Sequence, residues 1–380
     1  MPSDLEFFKS QFNKAEYVHL NNAGLQPITR AAREKIDYWS RRFWEEGYNT
    51  DKDYSADVAH TRTSLANMIG CETGEVAFFT STAGAINQVA FSCGLKADDE
   101  VVMWDQEYGS HLYPWKAACD QSGAKLVIVE SEQNLATPME KYLKAITPKT
   151  KVLAFSWVQF LAASQMEDIK HVIQFAKQKE ILVFIDIIQG FGIHPCDIWA
   201  WGADAVMGGS HKWLCSPVGV GFLALRKNLI PQFKPHVIGM YTYGTCDDPS
   251  DFACEPKRDA TKFEPGSKQV LEITALGASL DVIQKVGVKT IETEALRLAK
   301  ILRTGIIDLG YEIVSPYKGE QVNSTPFINF KPKGEMSKKT LSEKLNSQNI
   351  FHAVRGPGLR FTPTAFNTEN DLEKALFALK

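Results

Sequence analysis

Several features are scarce in this 380-residue chain, and each scarcity removes a class of function. No stretch holds five or more consecutive basic residues, and 42 basic against 45 acidic side chains leave a formal net charge of −3. Nucleic-acid binding needs a positive footprint, so no nucleic-acid partner is expected. The longest nearly apolar run, Val152 to Ala163, is broken by Ser156 and Gln159. A bilayer span needs about 20 apolar residues, so no membrane partner is expected either. The seven cysteines, at 71, 93, 119, 196, 215, 246 and 254, form no CxxC pair and no metal-ligand spacing. That pattern predicts no metal site and reduced thiols in a cytoplasmic protein. The first residues carry neither a basic nor an apolar leader pattern, so no signal peptide is expected. Repeats and low-complexity linkers are absent as well.

What is present is an ordinary globular composition, 44% apolar and 23% charged, on a chain longer than one hydrophobic core usually serves. Residues 1–30 read as an irregular, turn-rich segment and 28–70 as helical, with an aromatic stripe at Tyr38, Trp39, Phe43 and Trp44. Strands then alternate with helices. Strands are predicted at 76–80, 100–104, 125–130, 151–157, 182–186, 205–208 and 221–225, and helices at 83–91, 112–121 and 167–179. Such alternation predicts an α/β fold with a mostly parallel central sheet covered on both faces. Two long amphipathic helices follow, at 271–286 and 289–309. Beyond them, short strands at 311–314, 327–330 and 360–362 mix with helices at 337–348 and 369–379. We therefore expect a large domain over 31–284, a smaller C-terminal α+β domain over 285–380, and an N-terminal segment, 1–30, packed near the small domain.

Chemistry concentrates at the ends of the predicted strands. Lys212 follows Asp186 by 26 residues, and each adjoins a short apolar run. A lysine amine can hold an aldehyde as a Schiff base, and a carboxylate at the C-terminal end of a buried strand can keep a pyridine nitrogen protonated. Together they describe a site for pyridoxal 5′-phosphate (PLP). Gln189, three residues beyond Asp186, can hydrogen-bond a ring hydroxyl. The small residues Thr80 to Ala85, among them Thr82, Ala83 and Gly84, occupy a strand-to-helix turn, where backbone amides and the helix dipole favour a phosphate. Tyr108 can stack on a cofactor ring. The planar fork of Arg360 suits a substrate carboxylate. Asn22, Trp157 and Arg355 are candidates to line the substrate pocket.

In order, these pieces resemble the class V aminotransferase family of fold type I PLP-dependent enzymes, which includes cysteine desulfurases, selenocysteine lyases, kynureninases and isopenicillin N epimerase-like proteins. The resemblance runs along nearly the whole chain. It rests on Leu20–Gly24, Phe79–Asn87, Glu107-Tyr108 with Pro114-Trp115, Ser156–Gln159, Asp186–Gly190, Ser210–Leu214, Gly219–Leu223, Phe263–Ser267, and Leu359-Arg360 with Asn367–Glu369. It implies Lys212 as the Schiff-base lysine, Asp186 on the pyridine nitrogen and Gln189 on the ring oxygen. It also implies Thr82, Ala83 and His211 at the phosphate, Ser267 reaching the phosphate of a neighbouring subunit, Tyr108 on the ring and Arg360 on the α-carboxylate. The implied assembly is a homodimer with a shared active site.

Departures from the family pattern narrow the expected reaction. Desulfurases usually carry histidine at the stacking position, where this chain has Tyr108. They also carry a nucleophilic cysteine on a loop shortly before the carboxylate-binding arginine. Here no cysteine follows Cys254, and Val354–Gly358 leads directly to Leu359-Arg360. Gly84 and Gly209 stand where threonine and serine are common. The expectation is a PLP-dependent enzyme acting at the α-carbon of a small amino acid, with transamination as the default outcome. Lyase or epimerase chemistry is the alternative, and persulfide formation is disfavoured. A different class remains in view, because Gly219-Val220-Gly221-Phe222-Leu223-Ala224 matches GxGxxA and would suit an NAD(P)-dependent oxidoreductase. That motif should follow a strand and open a helix, whereas here it enters a strand-like run.

Overall fold

The structure, a computed structural model, describes residues 3–13, 16–47, 51–166, 168–244, 254–315 and 324–380. Glu167, the predicted start of one helix, and Cys246 lie outside the described residues. The N-terminal segment is less irregular than expected. The Ser3 hydroxyl accepts a hydrogen bond from the Glu6 amide while the Glu6 carboxylate accepts one from the Ser3 amide, a capping box that starts α1 (Asp4–Ser10). The short strand β1 (Val18–His19) follows. The region predicted as helical over 28–70 is two helices, α2 (Arg30–Glu46) and α3 (Asp51–Ile69). Gly47 closes the first with a positive φ of 56°, which glycine adopts without a Cβ penalty.

The central sheet uses β2 (Val76–Phe79), β3 (Glu100–Trp104), β4 (Lys125–Val129), β5 (Thr150–Ser156), β6 (Leu182–Asp186), β7 (Ala205–Gly209) and β8 (Gly221–Leu225), in the order β2-β8-β7-β6-β5-β3-β4. Only β8 runs antiparallel to its neighbours. Helices α4 (Thr82–Ser92), α5 (Gly109–Ser122), α6 (Met139–Lys144), α7 (Ile169–Gln178) and α8 (Ile198–Trp201) connect these strands, and α9 (Val270–Val286) packs on α2 and α3.

Burial explains why the strands read as continuous apolar runs. Side chains alternate across the pleat, so Leu153, Phe155, Val183 and Ile185 enter one core while Val152, Ala154 and Phe184 enter the other. A parallel sheet covered on both faces has no polar side to show. The GxGxxA segment enters β8 and opens no helix, which removes the basis for a dinucleotide-binding turn. Gly221 is required there, because a Cβ would lie 2.1 Å from the Ser81 carbonyl carbon.

The C-terminal part contains α10 (Val288–Asp308), β9 (Ile313–Ser315), β10 (Ile328–Phe330), α11 (Lys338–Ser347), β11 (Ile350–Phe351), β12 (Ala353–Arg355), β13 (Gly358–Phe361) and α12 (Glu369–Leu379). Its antiparallel sheet has the order β12-β13-β10-β9 and shares a third core with Val18, Leu20, Leu298 and Leu372. β1 pairs in parallel with β11, and the Thr362 amide donates to Leu20 O at 2.8 Å. Strands β1, β11 and β12, of two or three residues each, are not predicted from the sequence.

Among the described residues no helix is long and apolar enough to cross a membrane. Cys71, Cys93, Cys119, Cys196 and Cys215 are free thiols. Cys254 is disulfide-bonded, which departs from the expectation of reduced thiols throughout.

Candidate active site

Five parallel strands end on one side of the sheet, and each delivers a residue there. β2 leads to Thr82, β3 to Tyr108, β5 to Ser156, β6 to Asp186 and β7 to Lys212. Carboxyl ends of parallel strands are where open α/β sheets hold ligands, because the loops there diverge and leave a crevice. A cavity of about 210 Å³ opens at this edge. It is lined by Thr82, Ala83, Tyr108, Asp186, Gln189, His211, Lys212, Arg355 and Arg360, along with Ala23, Ser156, Val158 and Phe160.

Local packing sets each group. Trp213 and Leu214 are buried and anchor the turn behind Lys212. Burial lowers the Lys212 pKa to about 8; Asp186 opposes the shift, while Arg360 and Arg355 reinforce it. A lysine near that value keeps a usable fraction of neutral, nucleophilic amine at neutral pH. Asp186 ends β6 and accepts the Ile188 amide at 2.9 Å. Its pKa is raised by burial, against the pull of His111, that amide and Lys212. Gln189 donates its amide to Ala23 O at 3.1 Å. His211 is pushed down to about 4 by burial and by Lys212, so its ring is neutral. Ser81 caps α4 by accepting the Gly84 amide at 3.2 Å.

A buried relay behind Asp186 escaped the sequence reading. Glu107 accepts from the Ser156 amide at 2.8 Å, from the Ser156 hydroxyl at 2.5 Å, and from His111 Nδ1 at 2.9 Å. Burial pushes the His111 pKa down, but Glu107, by charge and by hydrogen bond, and then Asp186 outweigh it and leave it raised. The i,i+4 spacing of Glu107 and His111 at the start of α5 was the available signal.

Other candidates lie elsewhere. Asn22 is fully buried and donates to Thr362 O at 2.7 Å, tying the N-terminal segment to β13 without lining the cavity. Trp157 sits between the cavity-lining Ser156 and Val158, and alternation turns it away, onto Gly190 and His194. Gly84 commits its amide to Ser81 and, with Ser267, lines a separate cleft beside Thr80, Asn87 and His236. Gly209 has a steric reason, since a Cβ there would meet Thr82 Oγ1 at 2.7 Å.

The cavity holds buried polar atoms that no described residue satisfies: Thr82 Oγ1, Gln189 Oε1, Arg355 Nε, and Arg360 Nε and Nη2. Buried unpaired polar groups are costly, so each marks a place for a ligand atom. Their chemistry fits PLP with an amino acid. A hydroxyl at a helix N-terminus suits a phosphate, a buried carboxylate suits a ring N–H, an amide oxygen suits a ring hydroxyl, and a guanidinium suits a carboxylate.

Comparisons with known proteins bear on the family and the fold. The family described as Aminotransferase class-V matches residues 25–365. The chain is 24% identical over 351 residues to a protein named uncharacterized aminotransferase YcbU from Bacillus subtilis, covering 92% of this chain and 89% of that one. It is 26% identical over 287 residues to a probable cysteine desulfurase of Mycoplasma genitalium, covering 73% and 69%. The crystal structure of the cysteine desulfurase CsdA from Escherichia coli superposes with a TM-score of 0.86 at 19% identity, covering 99% of this chain and 97% of that one.

Proposed function

The chain belongs to the class-V aminotransferase family and is a PLP-dependent enzyme; on that premise we propose that it is an aminotransferase acting at the α-carbon of a small amino acid. The observation that carries the reading is one cavity in which the half-buried Lys212 shares the walls with the Asp186 carboxylate and the Arg360 guanidinium.

Thr82, the Ala83 amide and His211 hold the phosphate, Gln189 the ring hydroxyl, and Tyr108 a ring face. Bound PLP supplies an electron-withdrawing ring that makes the α-proton of an attached amino acid acidic. Asp186 would keep a proton on the ring nitrogen; burial and Glu107 oppose its ionised form, while the nearby His111 favours it. Arg360 fixes the α-carboxylate and so orients the α-carbon toward Lys212. The Lys212 amine would act as general base and acid, taking the α-proton and giving it back. The Ser267 cleft supports a homodimer in which Ser267 completes the partner's phosphate site. We also divide the chain as expected, into a large domain over 31–284, a small one over 285–380 and the N-terminal segment.

Persulfide formation is disfavoured on structural grounds. Arg355 pairs directly with Gly358, so β12 and β13 are joined by a two-residue turn, Gly356-Pro357. That hairpin leaves no loop to carry a nucleophilic cysteine. Lyase chemistry on a cysteine-like substrate is the second reading, favoured by relatives named cysteine desulfurases. It uses the same proton step and differs in what leaves the substrate afterwards.

The purified protein should be yellow, borohydride should fix the cofactor to Lys212, and Lys212→Ala should abolish turnover. Keto acid, ammonia, sulfide and α-proton exchange measured across an amino-acid panel separate the outcomes. A colourless protein that gains no visible absorbance with added PLP overturns the assignment.

A further inference from the structure

Two arginines reach the cavity from one hairpin. Ala353 pairs with Arg360 and Arg355 with Gly358, so Arg355 and Arg360 are diagonal neighbours on the same face of β12–β13. Diagonal pairs in an antiparallel ladder lie about 7–8 Å apart. Among the described residues lining the cavity, Lys212, Arg355 and Arg360 are basic and Asp186 alone is acidic. The hydrogen bonds of both guanidiniums go to backbone carbonyls, Arg355 Nη1 to Val354 O at 2.8 Å and Arg360 Nη1 to Phe160 O at 3.3 Å. Arg355 also lies over the Phe160 ring, 5.3 Å from its centroid, which holds the fork in place without neutralising it. Its Nε is buried and unpartnered, as are Nε and Nη2 of Arg360.

An amino acid brings one α-carboxylate, which satisfies Arg360. The groups suited to a phosphate are on other elements, at the start of α4 and after β7. Asp186 faces the ring nitrogen. Arg355 is therefore a cation for which neither the described residues nor the cofactor supplies an anion. We infer that Arg355 forms a second anion subsite and that the substrate is an amino acid with an acidic side chain, its α-carboxylate on Arg360 and its distal acid group on Arg355. This inference deepens the PLP-enzyme reading above and rests on it.

The test uses holoenzyme and follows the cofactor spectrum and kcat/KM with L-glutamate, L-aspartate, L-alanine and L-2-aminobutyrate. The acidic pair should be preferred by about 10–100-fold, the worth of a charge-assisted hydrogen bond in a partly buried site. Arg355→Gln should lower the acidic-to-neutral ratio by about the same factor, and Arg355→Lys, which keeps the charge, should recover part of it. Equal rates for acidic and neutral substrates in the unmodified enzyme overturn the inference while leaving the PLP reading intact. So does a parallel fall for all four substrates in Arg355→Gln with an unchanged ratio, which would put both arginines on the α-carboxylate. If no amino acid perturbs the spectrum of a visibly PLP-loaded protein, the amino-acid reading fails and the inference falls with it. The substrate comparison in unmodified enzyme decides the matter even if a variant does not fold.

Discussion

Two buried arginines in this molecule are held in opposite ways. Arg62, on α3, meets Glu264 through both terminal nitrogens, at 2.6 and 3.1 Å, and donates to Val76 O at 2.7 Å. Glu264 also accepts the Phe78 amide at 2.8 Å and pairs with Lys268 at 2.6 Å. Arg360 is buried as deeply but meets a single carbonyl. Burial lowers its pKa to about 9, and Arg355 adds to the shift. A charge taken out of water must find compensation. Arg62 finds it within the fold, where the paired Glu264 anchors the segment that carries Ser267. Arg360 lacks it until a ligand arrives. The contrast separates a charge that builds the protein from one that serves a bound molecule.

The comparison breaks most visibly at Arg62. Arg62→Met leaves Glu264 short of a partner and should cost about 3–5 kcal/mol of stability. Denaturant unfolding of the holoenzyme measures it, and a loss below about 1 kcal/mol would mean Lys268 alone suffices. Arg360→Met should do the reverse. Stability should hold or rise, because an uncompensated buried charge is removed, while kcat/KM falls by about 10–100-fold through loss of a charged hydrogen bond. Thermal unfolding read beside kinetics checks both halves.

The finest effect is on pH. Lys212 must be neutral to join the cofactor, so PLP uptake by apoprotein should rise as pH increases through about 8. Arg355 and Arg360 lower the Lys212 pKa, so removing either cation should move the uptake midpoint upward. A downward shift, seen by stopped-flow absorbance, would contradict the shared field of the three cations. His111→Asn should weaken cofactor retention by loosening control of Asp186. Unchanged retention would make the Glu107–His111 pair a packing feature only.

Much of this was legible in the chain. Apolar runs ending in Asp186 or preceding Lys212 gave the strand ends, and strand ends are where such sheets bind ligands. Thr82, Ala83, Tyr108, Gln189, His211 and Arg360 were found by motif order and meet in one cavity. Asn22 and Trp157 do not line it, for a reason of geometry. Each is adjacent in sequence to a lining residue, but pleat alternation and the burial of Asn22 against Thr362 point them elsewhere.

The amino-acid sequence by itself determined the strand–helix alternation, the family and the identity of the groups able to meet PLP, because these depend on local periodicity and on side-chain type. Only the tertiary structure decided which charges are compensated. Arg62 and Arg360 are the same residue in the sequence, and partners such as Glu264, 202 positions from Arg62, are chosen by folding. Desolvation and Coulomb attraction act through space, so the difference between a structural ion pair and an unfilled binding site exists only once the chain has folded.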